Sequence, residues 1–129
     1  MIRIAVTSLY VDDQDEALRF YTDVLGFVKK NDILAGDGRW LTVASPDGPE
    51  GVELLLEPNG NPVARSYQRA MFEAGVPATL FAVDDLPAEY ERMRGLGAVF
   101  PVEPTREGLV LQAVLDDTCG NLVLLAQVD

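Results

Sequence analysis

Apolar positions along this chain follow two alternating rhythms. Residues 2–11, "IRIAVTSLYV", are rich in β-formers and alternate imperfectly, which predicts a strand. After Asp12 and Asp13 the spacing changes. Ala17, Phe20, Tyr21, Val24 and Leu25 recur at helical intervals and make one apolar face, with Asp15 as the expected N-cap and Gly26 as the stop. Three strand-like runs follow, Phe27–Leu34, Arg39–Ser45 and Val52–Glu57. The turn-forming stretches "AGDG" and "SPDGPEG" separate them.

The pattern is then written a second time. Aligning Val11-Asp12-Asp13 with Val83-Asp84-Asp85 brings Thr7 to Thr79, Leu9 to Phe81 and Leu25-Gly26 to Leu96-Gly97, with one deletion near Pro87. In the second copy Leu86, Tyr90 and Met93 form the helical stripe, with Pro87 in the first turn and Gly95 and Gly97 at the close. Strands are expected at Val99–Glu103, Leu109–Leu115 and Leu122–Val128, with turns at "PTREG" and "DDTCGN". Between the copies a Pro/Asn/Gly linker leads into a short helix with Val63, Tyr67, Ala70, Met71 and Ala74 on one side. The expected organisation is one domain over residues 1–129: module 1 about 1–57, a linker helix 58–76, and module 2 about 77–129. The expected fold class is α+β, two tandem β-α-β-β-β modules forming a curved mixed sheet around a central cavity, with helices outside and room for a small molecule.

Composition narrows the function. The net charge is −11, from 10 basic and 21 acidic residues, which disfavours nucleic acid and anionic membranes as partners and suits a neutral or cationic small ligand. No apolar run approaches a membrane span. The single cysteine, Cys119, excludes an internal disulfide, and a cytoplasmic location is expected. Cys119 lies among acidic turn residues that disfavour a thiolate, so it is expected to be a small turn residue. Histidine is absent, which removes the commonest neutral-pH acid/base and transition-metal ligand. The two "VDD" stretches are expected to serve as acidic helix N-termini.

The stretch "SLYVDDQDEALRFYTDVLGF" resembles the opening signature of the vicinal oxygen chelate superfamily, which includes glyoxalase I, bleomycin resistance proteins and extradiol dioxygenases. "GVELLLEP" and "DDTCGNLVLLAQ" are similar to its later signatures. The resemblance implies a divalent metal held by one residue on each of four strands, and a homodimer. Carried onto this sequence, the four positions are Val6, Glu53, Ala78 and Leu124. Three of them have no lone pair to offer, so a family-type metal is not expected, and no cofactor is assigned.

Glu53 is then the candidate catalytic residue. A carboxylate in the apolar setting "GVELLL" suits general acid/base work, or the anchoring of a ligand amine or hydroxyl. The ordinary alternative is a carboxylate paired with an arginine or facing solvent. Strand alternation sends Arg39 and Trp40 to opposite faces, so one of them can enter the cavity, as an anion anchor or partner for Glu53, or as a stacking platform. Tyr67, with Gln68 beside it on the linker helix, is a candidate cap. The expected ligand-binding set is Val6, Arg39, Trp40, Glu53, Tyr67, Ala78 and Leu124. The expected function is metal-free binding of a small organic ligand. The alternative is a lyase, isomerase or dioxygenase of the same superfamily, using Glu53 as acid/base or an atypical metal site.

Overall fold

The structure, a computed structural model, describes residues 1–128. It contains the duplicated α+β pattern, with a four-stranded mixed sheet in each module. The elements are β1 (Val6–Val11), α1 (Gln14–Arg19) continued by a π-helical turn (Phe20–Val24), β2 (Val28–Ala35), β3 (Gly38–Ala44), β4 (Glu53–Pro58), α2 (Pro62–Glu73), β5 (Thr79–Ala82), α3 (Leu86–Gly95), β6 (Val99–Glu107), β7 (Val110–Asp116) and β8 (Leu122–Val128). The chain divides into two compact units, Met1–Ser66 and Tyr67 onward, and the boundary falls inside α2.

In the first unit the strand order is β1-β4-β3-β2. β1 runs parallel to β4, the pairing a β-α-β crossover produces, and the other neighbours are antiparallel. α1 lies against β3 and β4. The sheet face it covers carries Leu9, Val11, Leu41, Val43 and Leu56, all buried. Ala17, Phe20 and Tyr21 complete this core from the helix side, with the Tyr21 ring stacked on Phe27 at 6.3 Å. Asp13, rather than the expected Asp15, is the N-cap: its carboxylate accepts from the Glu16 N–H at 3.0 Å. The capping position is the last extended residue, and the chain is already helical at Gln14. The amides of Leu25 and Phe27 reach back to Phe20 and Tyr21, which lengthens the last turn before Gly26.

The second unit has the matching order β5-β8-β7-β6, with β5 parallel to β8. Its core comprises Leu86 and Met93 of α3 and Ala113, Leu115, Val123 and Leu125 of the sheet. Two expectations are corrected here. β6 extends through "PTRE" to Glu107, four residues past the expected end, and the turn falls at Gly108-Leu109. Register shifts after Val99 and after Val102 let Pro101 and Pro104 sit in the strand although neither can donate to the ladder. In α2 the expected apolar side is not buried: Val63 and Tyr67 are exposed, while Ala64 and the polar Gln68 are buried. The Gln68 amide donates to the Cys119 carbonyl (3.1 Å) and the Asn121 side chain (3.2 Å), and these bonds satisfy it in the interior. Cys119 is buried in the expected turn.

Candidate functional site

Pairing sorts each sheet into a covered and an open face. In the first unit the open face holds Val6, Ser8 and Tyr10 of β1, Glu53, Leu55 and Glu57 of β4, Trp40 and Thr42 of β3, and Asn31 and Ile33 of β2. Val6 is the direct neighbour of Glu53, and Trp40 of Ile33. Both Trp40, 41% exposed, and Ile33, 58% exposed, present large apolar surface.

Glu53 is at the centre of a polar cluster. Its Oε1 accepts from the Thr42 hydroxyl (2.6 Å) and from Asn31 Nδ2 (2.9 Å), and Asn31 also donates to Thr42 Oγ1 (3.1 Å). The other carboxylate oxygen has no protein partner among the described residues. Glu53 is half-buried, and among the described residues it makes no ion pair with an arginine. The cluster fixes the carboxylate and leaves one oxygen able to accept from a ligand donor or to take a proton. Thr42 and Asn31 were not identified from sequence. Thr42 shares the face of Trp40 by simple alternation, but Asn31 reaches that face only through the register shift between Lys29 and Asn31.

Arg39 points the other way from Trp40, as alternation predicts, and is not the partner of Glu53. Its guanidinium bonds Asp32 (2.9 Å) on β2 and Asp15 (2.5 Å) at the start of α1. The hydrogen bond from Arg39, then its charge, holds the Asp15 carboxyl below its usual range, while Asp15 and then Asp32 hold the Arg39 guanidinium protonated. Because the folded-state value of Asp15 is the depressed one, the pair stabilises the fold above the unfolded value of about 3.9 and is lost as pH falls through the folded value. Asp15→Asn is therefore expected to remove part of the acid-side loss of stability. Urea midpoints at pH 6 and pH 3 should differ less for the variant than for the wild type. The pair is exposed, so the difference should be small.

The remaining expected positions lie in the second unit. Ala78 precedes β5, and its N–H donates to the Leu122 carbonyl at 2.8 Å. Leu124 sits in register with Leu80 on one side and Val114 on the other. These residues form an apolar open face, with Leu80 56% exposed. Tyr67 is 51% exposed on α2.

The donor set does not fit a metal centre of the superfamily type. Val6, Ala78 and Leu124 are aliphatic, and Glu53 already accepts two hydrogen bonds on one oxygen. Among the described residues no group of three or more Asp, Glu or Cys side chains is arranged to hold a metal ion.

Comparison with known proteins places this architecture. The model of the glyoxalase/bleomycin resistance protein/dioxygenase superfamily matches residues 3–125. The chain belongs to that superfamily. It is 52% identical over 126 residues to the uncharacterized protein YurT of Bacillus subtilis, covering 98% of this chain and 99% of YurT. Among solved structures it is similar to UcmS2, with 33% identity, a TM-score of 0.84 and 98% of each chain covered. It also shares the fold of TnmS3, an antibiotic binding protein from Streptomyces sp. CB03234, with 24% identity, a TM-score of 0.77, and 100% of this chain and 98% of TnmS3 covered. A member of the superfamily can be an isomerase, a dioxygenase or a binding protein, so the superfamily alone does not assign chemistry.

Proposed function

We propose that this chain is a small-molecule binding protein, holding an organic ligand on its open sheet faces without a superfamily-type metal. The observation that carries the proposal is the chemistry of the four ligand positions. Three are aliphatic, and the fourth, Glu53, is held by Thr42 and Asn31 with one oxygen left to accept. A fixed acceptor next to Val6, on the sheet face that also carries the exposed Trp40 and Ile33, is how apolar sites commonly orient a ligand: large contact area and a few placed polar atoms. The similarity in fold to an antibiotic binding protein supports the same assignment by analogy.

The chain is proposed to act as a homodimer in the cytoplasm. Ile33, Leu34, Leu80, Val99 and Val102 are all exposed, apolar surface that a second copy would cover. Among the described residues no helix is long and apolar enough to cross a membrane. Light scattering at micromolar concentration should give twice the mass of 14.1 kDa.

The binding test is a thermal-shift and calorimetric panel of bleomycin, anthracyclines, aromatic amines and neutral polyphenols, run with and without Ni, Zn, Mn and Fe. At least one organic compound should raise the melting point in a dose-dependent way, and the metals alone should not. Glu53→Gln, which keeps the size and one acceptor but removes the charge, should weaken the compound that binds by about 10-fold, roughly 1.4 kcal/mol. A melting point unmoved by every compound would overturn the proposal.

The unpartnered oxygen of Glu53 also favours a second reading, an enzyme in which this carboxylate moves a proton. Turnover of a glyoxalase or extradiol substrate, abolished by Glu53→Gln, would replace binding with catalysis.

A further inference from the structure

The β3–β4 ladder is short. The two strands are bridged only at Thr42↔Leu55 and Val43↔Leu54, although β3 continues back to Gly38 and β4 on to Pro58. Where the ladder stops, a side chain takes over. The Gln14 carboxamide donates to the carbonyls of Arg39 (2.8 Å) and Leu56 (2.9 Å) and accepts from the Arg39 N–H (3.1 Å), so it replaces the missing rungs from the helix side. The parted strands leave a pocket of about 490 Å³, within the range of small-molecule sites.

Trp40 and Glu57 both line it. Continuing the register of β3 and β4 sets these two across the gap from one another. Leu55, Pro58 and Ala35 supply apolar wall, and Asp37 is at the hairpin end. Gly38 closes against Pro58: a Cβ there would lie 3.0 Å from the proline ring. The carboxylates of Glu57 and Asp37 have no hydrogen bond or ion pair with the protein among the described residues. Arg39, the basic residue of the lining, has its guanidinium bonded to Asp15 and Asp32. The pocket therefore combines an indole, apolar wall and two negative charges without a protein counter-ion.

We propose that this pocket is a subsite for a planar aromatic cation, the ring against Trp40 and the positive charge toward Glu57. The inference rests on the small-molecule binding function above and names the ligand class one part of that site takes. An indole gives contact area and an attractive face to a cation, and a part-buried carboxylate fixes where the charge sits. A planar anion would meet the negative charges of Glu57 and Asp37 and is disfavoured. Gln14 acts as a positioning residue, holding the strands apart at the width of the pocket.

The test uses the intact chain and three probes: proflavine, a planar cation; anthracene-2-carboxylate, a planar anion; and the compound that binds best in the panel above. Trp40 is the only tryptophan, so tryptophan emission reports binding on the face that carries this pocket, and Glu57→Gln separates the pocket from the Glu53 side. Proflavine should quench it saturably, and calorimetry should give the same affinity. The anion should bind at least 10-fold more weakly. Trp40→Ala and Glu57→Gln should each weaken proflavine about 10-fold, while Trp40→Phe should restore most of the loss. Both substituted side chains face the open side rather than the core, and far-ultraviolet circular dichroism should confirm that the variants fold. If the panel compound binds but tryptophan emission and both variants leave its affinity and that of proflavine unchanged, the subsite is overturned and the binding function stands. If the anion binds as tightly as the cation, the assigned ligand class is overturned. If no probe binds at all, both proposals fall together.

Discussion

Replacing Asp117 by alanine is expected to lower the stability of the protein by about 4 kcal/mol, the largest effect predicted here. Asp117 is completely buried in the turn between β7 and β8. Its Oδ1 accepts from the amides of Cys119 (2.7 Å) and Asn121 (3.0 Å), and its Oδ2 accepts from the Asn121 side chain (2.9 Å). Alanine removes both acceptor oxygens, and with them at least three hydrogen bonds, two of them from backbone N–H groups in the interior. Each orphaned donor costs about 1–3 kcal/mol. At roughly 3 °C per kcal/mol for a chain of this size, the melting temperature should fall by about 12 °C. Asp117→Asn should cost less than half as much, since its carbonyl oxygen can still serve the two amides while its NH₂ group opposes that of Asn121. Thermal and urea unfolding of both variants checks the order. Equal losses would mean that the charge of the carboxylate, which both variants remove, carries the effect, and an unaffected Asp117→Asn would mean that the side chain acts by filling space.

Gly120→Ala is expected to cost about 2–3 kcal/mol, and for a different reason. Gly120 has φ of +99°, a conformation in which a side chain is strained. A Cβ built there would lie 2.7 Å from Gln68 Nε2 and 3.0 Å from its Cδ. The amide could move aside only by giving up its bonds to Cys119 and Asn121. The backbone strain and the collision are separable. In the background Gln68→Ala the collision is gone, so the added cost of Gly120→Ala should fall by about 1 kcal/mol, a coupling that a double-mutant cycle measures. Additive losses would place the whole effect in the backbone.

These two residues also mark what could be read in advance. The turn "DDTCGN" was recognisable from its composition, and the duplicated β-α-β-β-β order from the matching "VDD" stretches, because both are local patterns. What the turn requires of Gln68, 51 positions before Cys119, was not. Gln68 looks like one more polar residue on an amphipathic helix until the fold puts it over Gly120. The candidate site divides in the same way. Glu53 stood out as the one lone-pair donor among four positions, and alternation correctly separated Arg39 from Trp40. Its partners Thr42 and Asn31 lie 11 and 22 residues earlier, and only strand register brings them to its carboxylate. Arg39 was considered as the partner of Glu53, but two carboxylates on the covered side of the sheet, Asp15 and Asp32, hold it instead. The pocket was invisible for a related reason: it lies where the β3–β4 ladder has stopped, and no periodicity records where a ladder stops.

The two prolines of β6 have a consequence for how the protein survives at high concentration. β6 is an outermost strand, and such a strand invites foreign chains to dock by main-chain hydrogen bonds. Pro101 and Pro104 break its run of amide hydrogens at two points three residues apart, and the register shifts there interrupt the regular pleat. An incoming strand can therefore find no unbroken stretch longer than a few residues to zip onto. This margin is protected from growing into a fibre, whatever the opposite edge of the sheet does.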